Sequence, residues 1–76
     1  MDIYDIDGGD VRVIGLPQES DEDAFMMAMT LARVAENTVI VSKKARREDE
    51  YEKIATVYID GSIEVERKQQ GWRVVC

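Results

Sequence analysis

The chain has 76 residues, 16 of them acidic and 10 basic, for a formal net charge of −6, with one cysteine, Cys76, and no histidine. This length predicts one small domain, 1–76, and a single cysteine without an apolar membrane span or leader predicts a cytoplasmic protein. The lack of histidine and the negative charge argue against zinc or copper sites, histidine-based catalysis, and nonspecific binding to nucleic acids or membranes.

Two strands are predicted first, over 2–7 and 10–15, joined at the glycine pair Gly8-Gly9. Such a pair suits a two-residue hairpin turn, because glycine adopts positive φ angles readily. The turn fixes the strand register and therefore the two faces. The predicted apolar pairs on the core face are Ile6–Val11 and Tyr4–Val13. The predicted pairs on the other face are Asp7–Asp10 and Asp5–Arg12.

A helix is predicted from Asp21 to about Glu36. Ser20 is a suitable N-cap, and the acidic first turn complements the helix dipole. The apolar side of this helix consists of Ala24, Phe25, Ala28, Met29, Leu31, Ala32 and Ala35. Met26 falls instead within the polar stripe. Met26 and Met27 form a candidate partner contact, although an exposed methionine requires no partner.

The β-branched run over 38–42 predicts an interior strand that is parallel to the second strand and buried on both faces. The helix between these two strands then makes a β-α-β crossover. The highly charged segment 44–53 is predicted to be a solvated loop or a short surface helix.

Strands over 54–59 and 62–67 are predicted to form a second hairpin, followed by a last strand over 72–75. A three-residue loop with Gly61 in the left-handed region pairs Val57 with Ile63 and keeps both on the core face. Together the elements predict an α+β fold in two layers, with one main helix, about 21–36, on a mostly antiparallel sheet of five or six strands.

The first hairpin predicts a candidate metal site. Asp5 and Asp7 project from one face of a strand, and Asp10 would lie across the turn from Asp7. Opposed carboxylates repel each other unless a cation or water lies between them, and hard cations such as calcium prefer oxygen ligands. A solvated acidic turn is the alternative.

The segment Asp-Ile-Asp-Gly-Gly-Asp resembles the opening of an EF-hand loop but departs from it. Asp10 stands where that loop requires glycine, and Leu16 stands where it requires a bidentate glutamate. A second candidate metal cluster consists of Glu19, Asp21, Glu22 and Asp23. Helix capping is its alternative explanation.

The acidic segments DIDGGD and SDEDAFMMAM are similar to those of small uncharacterised α+β proteins of methanogenic archaea. This resemblance implies a cytoplasmic protein that binds calcium through acidic side chains. The high charged fraction, 34%, with one asparagine is typical of thermophile proteins.

We therefore expect a small acidic binding module that takes calcium weakly through surface carboxylates. The alternative is a protein-interaction or homodimerisation domain without a metal role, which uses an uncovered sheet face or the two methionines. No enzymatic activity is expected, since the sequence contains no serine–histidine pair and no phosphate-binding motif.

Overall fold

The computed structural model describes residues 2–46 and 48–66, which form five strands and one helix. In chain order these are β1 (Asp2–Asp7), β2 (Arg12–Gln18), α1 (Asp21–Ala35), β3 (Val39–Lys44), β4 (Glu52–Val57) and β5 (Ile63–Val65). The strands lie in the order β2-β1-β3-β4-β5, and each neighbouring pair is antiparallel. Helix α1 connects β2 to β3, which are parallel to each other with β1 between them. The predicted α+β fold with its β-α-β crossover is confirmed.

The core lies between α1 and one face of the sheet. The helix buries three alanines four residues apart, Ala24, Ala28 and Ala32, and these small side chains let its axis approach the strands closely. The fully buried side chains of the sheet are Tyr4, Ile6, Val39, Val41, Ala55 and Val57. The helix packs chiefly over β3.

Helix α1 begins and ends close to the predicted residues. Ser20 Oγ accepts a hydrogen bond from the backbone N–H of Asp23 at 3.2 Å, which satisfies one of the free donors of the first turn. At the other end Glu36 adopts a left-handed conformation with φ 53°, and its N–H donates to the Ala32 carbonyl. Asn37 is the next residue after this cap.

The predicted register of the first hairpin is wrong by two residues. Ile6 pairs with Val13 instead of Val11, because the loop spans residues 8–11 and the Gly8 N–H donates to the Val11 carbonyl at 2.8 Å. A shift of two residues returns every side chain to the same face of the strand. The apolar alternation therefore fits both registers equally well.

Strand β2 also contains a bulge that was not predicted. The register shifts at Gly15, which has a φ of 75° and no partner in β1. The extra residue reverses the alternation of side chains in β2, so that Tyr4 pairs with Leu16 and not with Gly15. Leu16 consequently packs against the core.

The face of the sheet away from α1, which we call the open face, is mainly polar. One row across all five strands consists of Arg12, Asp7, Ile40, Thr56 and Glu64. The prediction that β3 is buried on both faces is therefore wrong. Val39 and Val41 are fully buried, but Ile40 is 40% exposed. Antiparallel sheets tolerate this arrangement, since one face can meet water.

The predicted register of the second hairpin is confirmed. Val57 pairs with Ile63, and the Tyr58 N–H donates to the Ser62 carbonyl across a three-residue loop. Gly61 has a φ of 95°, the left-handed conformation that the bulged turn requires.

The described part of the charged loop between β3 and β4 contains a turn in which the Asp49 N–H donates to the Arg46 carbonyl. The predicted strand over 72–75 lies outside the described residues. Within 2–46 and 48–66, no helix has the length and apolar character of a membrane span.

Candidate functional site

The carboxylate of Asp5 is bound by Arg12. The guanidinium donates from Nε and Nη2 to Asp5 Oδ1 and Oδ2 at 3.1 and 2.9 Å, a bidentate arrangement. The Asp5 side chain is 8% exposed, and a buried carboxylate is stabilised when it is paired and hydrogen-bonded. The hydrogen bond to Asp5 in turn raises the pKa of Arg12. At this position Arg12 of the same chain is the cation that balances the charge of Asp5.

The other two carboxylates of the first candidate metal site lie differently from the prediction. Asp7 Oδ1 accepts a hydrogen bond from the Gly9 N–H at 2.9 Å, and Asp7 Oδ2 lies 3.9 Å from Arg12 Nε. Asp10 is exposed in the 8–11 loop and does not face Asp7, because Asp7 pairs with Arg12 across the strands. The structure thus joins Asp5 and Asp7 through Arg12 and does not produce the predicted Asp7–Asp10 pair.

Asp21, from the second cluster, takes part in a network between the helix and the sheet. Its Oδ1 atom accepts hydrogen bonds from the Tyr4 hydroxyl at 2.5 Å and from Lys43 Nζ at 2.9 Å. Lys43 Nζ also lies 3.5 Å from Asp2 Oδ2. Lys43 therefore neutralises acids from both β1 and α1, and the network attaches the first turn of the helix to β1 and β3.

The pKa shifts in this network favour one protonation state at neutral pH. The hydrogen bond from Tyr4 lowers the pKa of Asp21, although burial opposes this effect. Burial raises the pKa of Tyr4 well above its ordinary value, and the hydrogen bond to Asp21 adds to that increase. The hydrogen bond to Asp21 likewise raises the pKa of Lys43. The folded chain thus favours an ionised Asp21 with a protonated Tyr4 and Lys43.

The rest of the second cluster, Glu19, Glu22 and Asp23, is exposed. Across 2–46 and 48–66, no group of three acidic or cysteine side chains is arranged so that it could hold a metal ion. Calcium binding by the two acidic clusters stays a prediction from the sequence. Saturable shifts of amide NMR signals at either cluster during a calcium titration would support it, and unchanged signals would remove it.

The outer side of α1 carries exposed methionines, as the sequence pattern predicts. Met26 is 66% exposed and Met27 is 44% exposed. A shallow cleft of about 140 Å³ is lined by Met26, Met29, Thr30 and Arg33, and we call it the α1 cleft. Met27 does not line it, since consecutive residues lie about 100° apart around a helix. Of the two predicted contact residues, only Met26 lines the cleft.

The sequence analysis missed two residues of this surface. Met29 was assigned to the buried side, and it does pack against the core, but it also lines the cleft. Arg33 was given no role from the sequence. Glu22, Met26, Met29 and Arg33 are separated by four, three and four residues, and this helical spacing is the signal that could have joined them.

The open face of the sheet is a weaker candidate for a contact surface. Ile14 and Ile40 are 62% and 40% exposed on it. Ile14 pairs with Asp5, and Ile40 pairs with Asp7, so charged side chains lie between the two isoleucines. Their apolar surface is therefore divided, whereas the two methionines of the α1 cleft adjoin each other.

Comparison of the chain with protein-family models, with curated proteins and with solved structures finds no significant match.

Proposed function

We propose that this chain is a small protein-interaction module and that the α1 cleft is its contact surface. The observation that carries the proposal is Met26, which is 66% exposed at the edge of a cleft that also contains an arginine. Methionine and arginine are enriched at protein interfaces relative to the rest of protein surfaces. A flexible, polarizable methionine also adapts well to the shape of a partner.

The fold does not need Met26 for its own core. The core side of α1 is formed by Ala24, Ala28 and Ala32, which are fully buried, and Met26 is not among the side chains that pack against them. Met26 could be replaced by a polar residue without removing a core contact. A methionine that is not required for folding can serve another chain, because burying it in an interface removes apolar surface from water.

Oxidative footprinting of the methionines tests this proposal. The chain is oxidised briefly in dilute buffer, at high concentration, and in an extract of the cells that produce it, and sulfoxide at each methionine is quantified by mass spectrometry. We expect Met26 to be protected several-fold in at least one of the two crowded samples. Met27 serves as the internal control and should oxidise at similar rates throughout. Equal oxidation of Met26 in all three samples would contradict the proposal.

A further inference from the structure

The residues beside the α1 cleft form a self-complementary pattern. Glu22, Met26, Met29 and Arg33 follow a spacing of four, three and four residues along α1, and we call them the 22–33 stripe. This is the spacing of the contact seam between paired helices. The stripe has an acid near the helix N-terminus, a base near its C-terminus and two methionines between them.

Within residues 2–46 and 48–66, neither charged side chain of the stripe has an ion-pair partner. Glu22 and Arg33 are both exposed. Among the ion pairs and side-chain hydrogen bonds of residues 2–46 and 48–66, none involves the side chain of either. They lie 11 residues apart, about 16 Å along the axis, which is too far for them to pair with each other. Their natural partners are opposite charges on another molecule.

We infer that the partner of this surface is a second copy of the chain, with the two α1 helices packed antiparallel about a two-fold axis. This inference rests on the proposed function and names its partner. In an antiparallel pair centred between residues 27 and 28, Glu22 of each copy faces Arg33 of the other. The same symmetry places Met26 against Met29, so each side chain of the stripe meets a suitable partner.

The predicted dimer is weak. Each helix has 15 residues and is about 22 Å long, so the contact is smaller than a standard protein interface. A dissociation constant of roughly 10⁻⁴ M is expected for a contact of this size. The net charge of −6 on each copy adds long-range repulsion that moderate salt screens.

Charge reversal in the stripe provides a sharp test by sedimentation. The R33E variant has two acids on the stripe, and the E22R variant has two bases, so like charges face each other in either homodimer. Each variant alone should associate about tenfold more weakly than the unchanged chain or worse, because both symmetric ion pairs become repulsive. An equimolar mixture of the two variants should recover association, since every acid then faces a base.

Matched controls separate the role of position from that of net charge. The variants R46E and E48R make the same charge changes on the exposed loop between β3 and β4, and they should associate as the unchanged chain does. Circular dichroism verifies that all variants fold. If E22R unfolds the helix N-terminus, E22Q replaces it and should weaken association less than R33E does.

Recovery of association in the mixture supports the antiparallel dimer. Unchanged association of R33E and E22R alone, or a mixture that stays monomeric while the unchanged chain associates, overturns it. A monomeric unchanged chain up to about 1 mM also overturns it. In that case, protection of Met26 in cell extract would preserve the proposed function with a different partner, whereas uniform oxidation would remove both.

Discussion

At the scale of residues, one buried or half-buried acid from each acidic cluster is paired with a cation of the chain, Asp5 with Arg12 and Asp21 with Lys43. Lys43 continues the alternation of Val39 and Val41, so it projects from the face of the sheet that meets α1. Because this alternation places Lys43 on the same side of the sheet as α1, its hydrogen bond to Asp21 could have been predicted from the sequence. The Arg12–Asp5 contact was predicted, but from the wrong register: in the structure Arg12 lies opposite Asp7 and reaches Asp5 diagonally.

Replacing Tyr4 by phenylalanine tests the Asp21 network. Y4F removes a buried hydroxyl that donates to a carboxylate, and we expect the free energy of unfolding at pH 7 to fall by about 1–2 kcal/mol. The matched control is Y58F, which removes the hydrogen bond from an exposed tyrosine to Glu64 and should change stability much less than Y4F does. Urea unfolding followed by circular dichroism measures both values. Equal effects of the two substitutions would contradict the proposed anchoring role.

The pH dependence of stability follows from the same network. The pKa values of Tyr4 and Lys43 are raised in the folded state, so their contributions are complete below their unfolded values of about 10 and 10.4 and decline as the pH rises further. The pKa of Asp21 is lowered, so its contribution is complete above its unfolded value of about 3.9 and is lost in stronger acid. Stability should therefore fall above about pH 10, and Y4F should show a smaller alkaline decline. An identical alkaline decline in Y4F would contradict this assignment.

The Arg12–Asp5 pair is tested by a double-mutant cycle. R12Q leaves the buried Asp5 carboxylate without its cation, and we expect a loss in the free energy of unfolding that is smaller than for a fully buried pair, because Arg12 is half exposed. D5N in the R12Q background should recover part of that loss, since it removes the unpaired charge. R46Q, at a loop position, is the control. If D5N and R12Q have strictly additive effects on urea unfolding, the pair does not stabilise the fold.

At the scale of elements, local turn chemistry determined which hairpin could be predicted. In the second hairpin only the three-residue turn places both Val57 and Ile63 on the core face. The pattern of apolar residues therefore predicted the register. The first hairpin offered two registers with identical faces. Its outcome depends on tertiary contacts, because Asn37 Nδ2 donates to the Gly8 carbonyl at 3.1 Å and ties the loop to the end of α1. Such a contact between distant segments is not visible in the local pattern.

The close approach of α1 to the sheet depends on its buried alanines. In A28L, the larger side chain has no space at a fully buried position, and we expect a loss of about 1–3 kcal/mol in the free energy of unfolding. M27L changes an exposed position by a similar apolar residue and should alter stability by less than about 0.5 kcal/mol. Urea unfolding of both variants measures the difference. An A28L variant as stable as the unchanged chain would show that the helix packs less tightly than described.

At the scale of the whole molecule, residues 2–46 and 48–66 form a five-stranded sheet with one helix on one face, and the two surfaces that these residues leave uncovered differ in character. The open face alternates charged and apolar side chains, which suits contact with water. The outer side of α1 brings Met26 and Met29 together, between an acid and a base that have no partners within the described chain. The exposure of Met26 was predicted from the helical periodicity of the sequence. It did not reveal the cleft, because the depth of a cleft depends on how neighbouring side chains pack.

The most direct measurement of the central claim is NMR of the methionine methyl groups over a concentration series from about 10 µM to about 1 mM. We expect the signals of Met26 and Met29 to move together along one saturating curve, because both lie in the contact between copies. The signal of Met27, on the neighbouring side of α1, should move much less. Methyl signals that stay constant over the whole range, or a shift confined to Met27, would contradict the account.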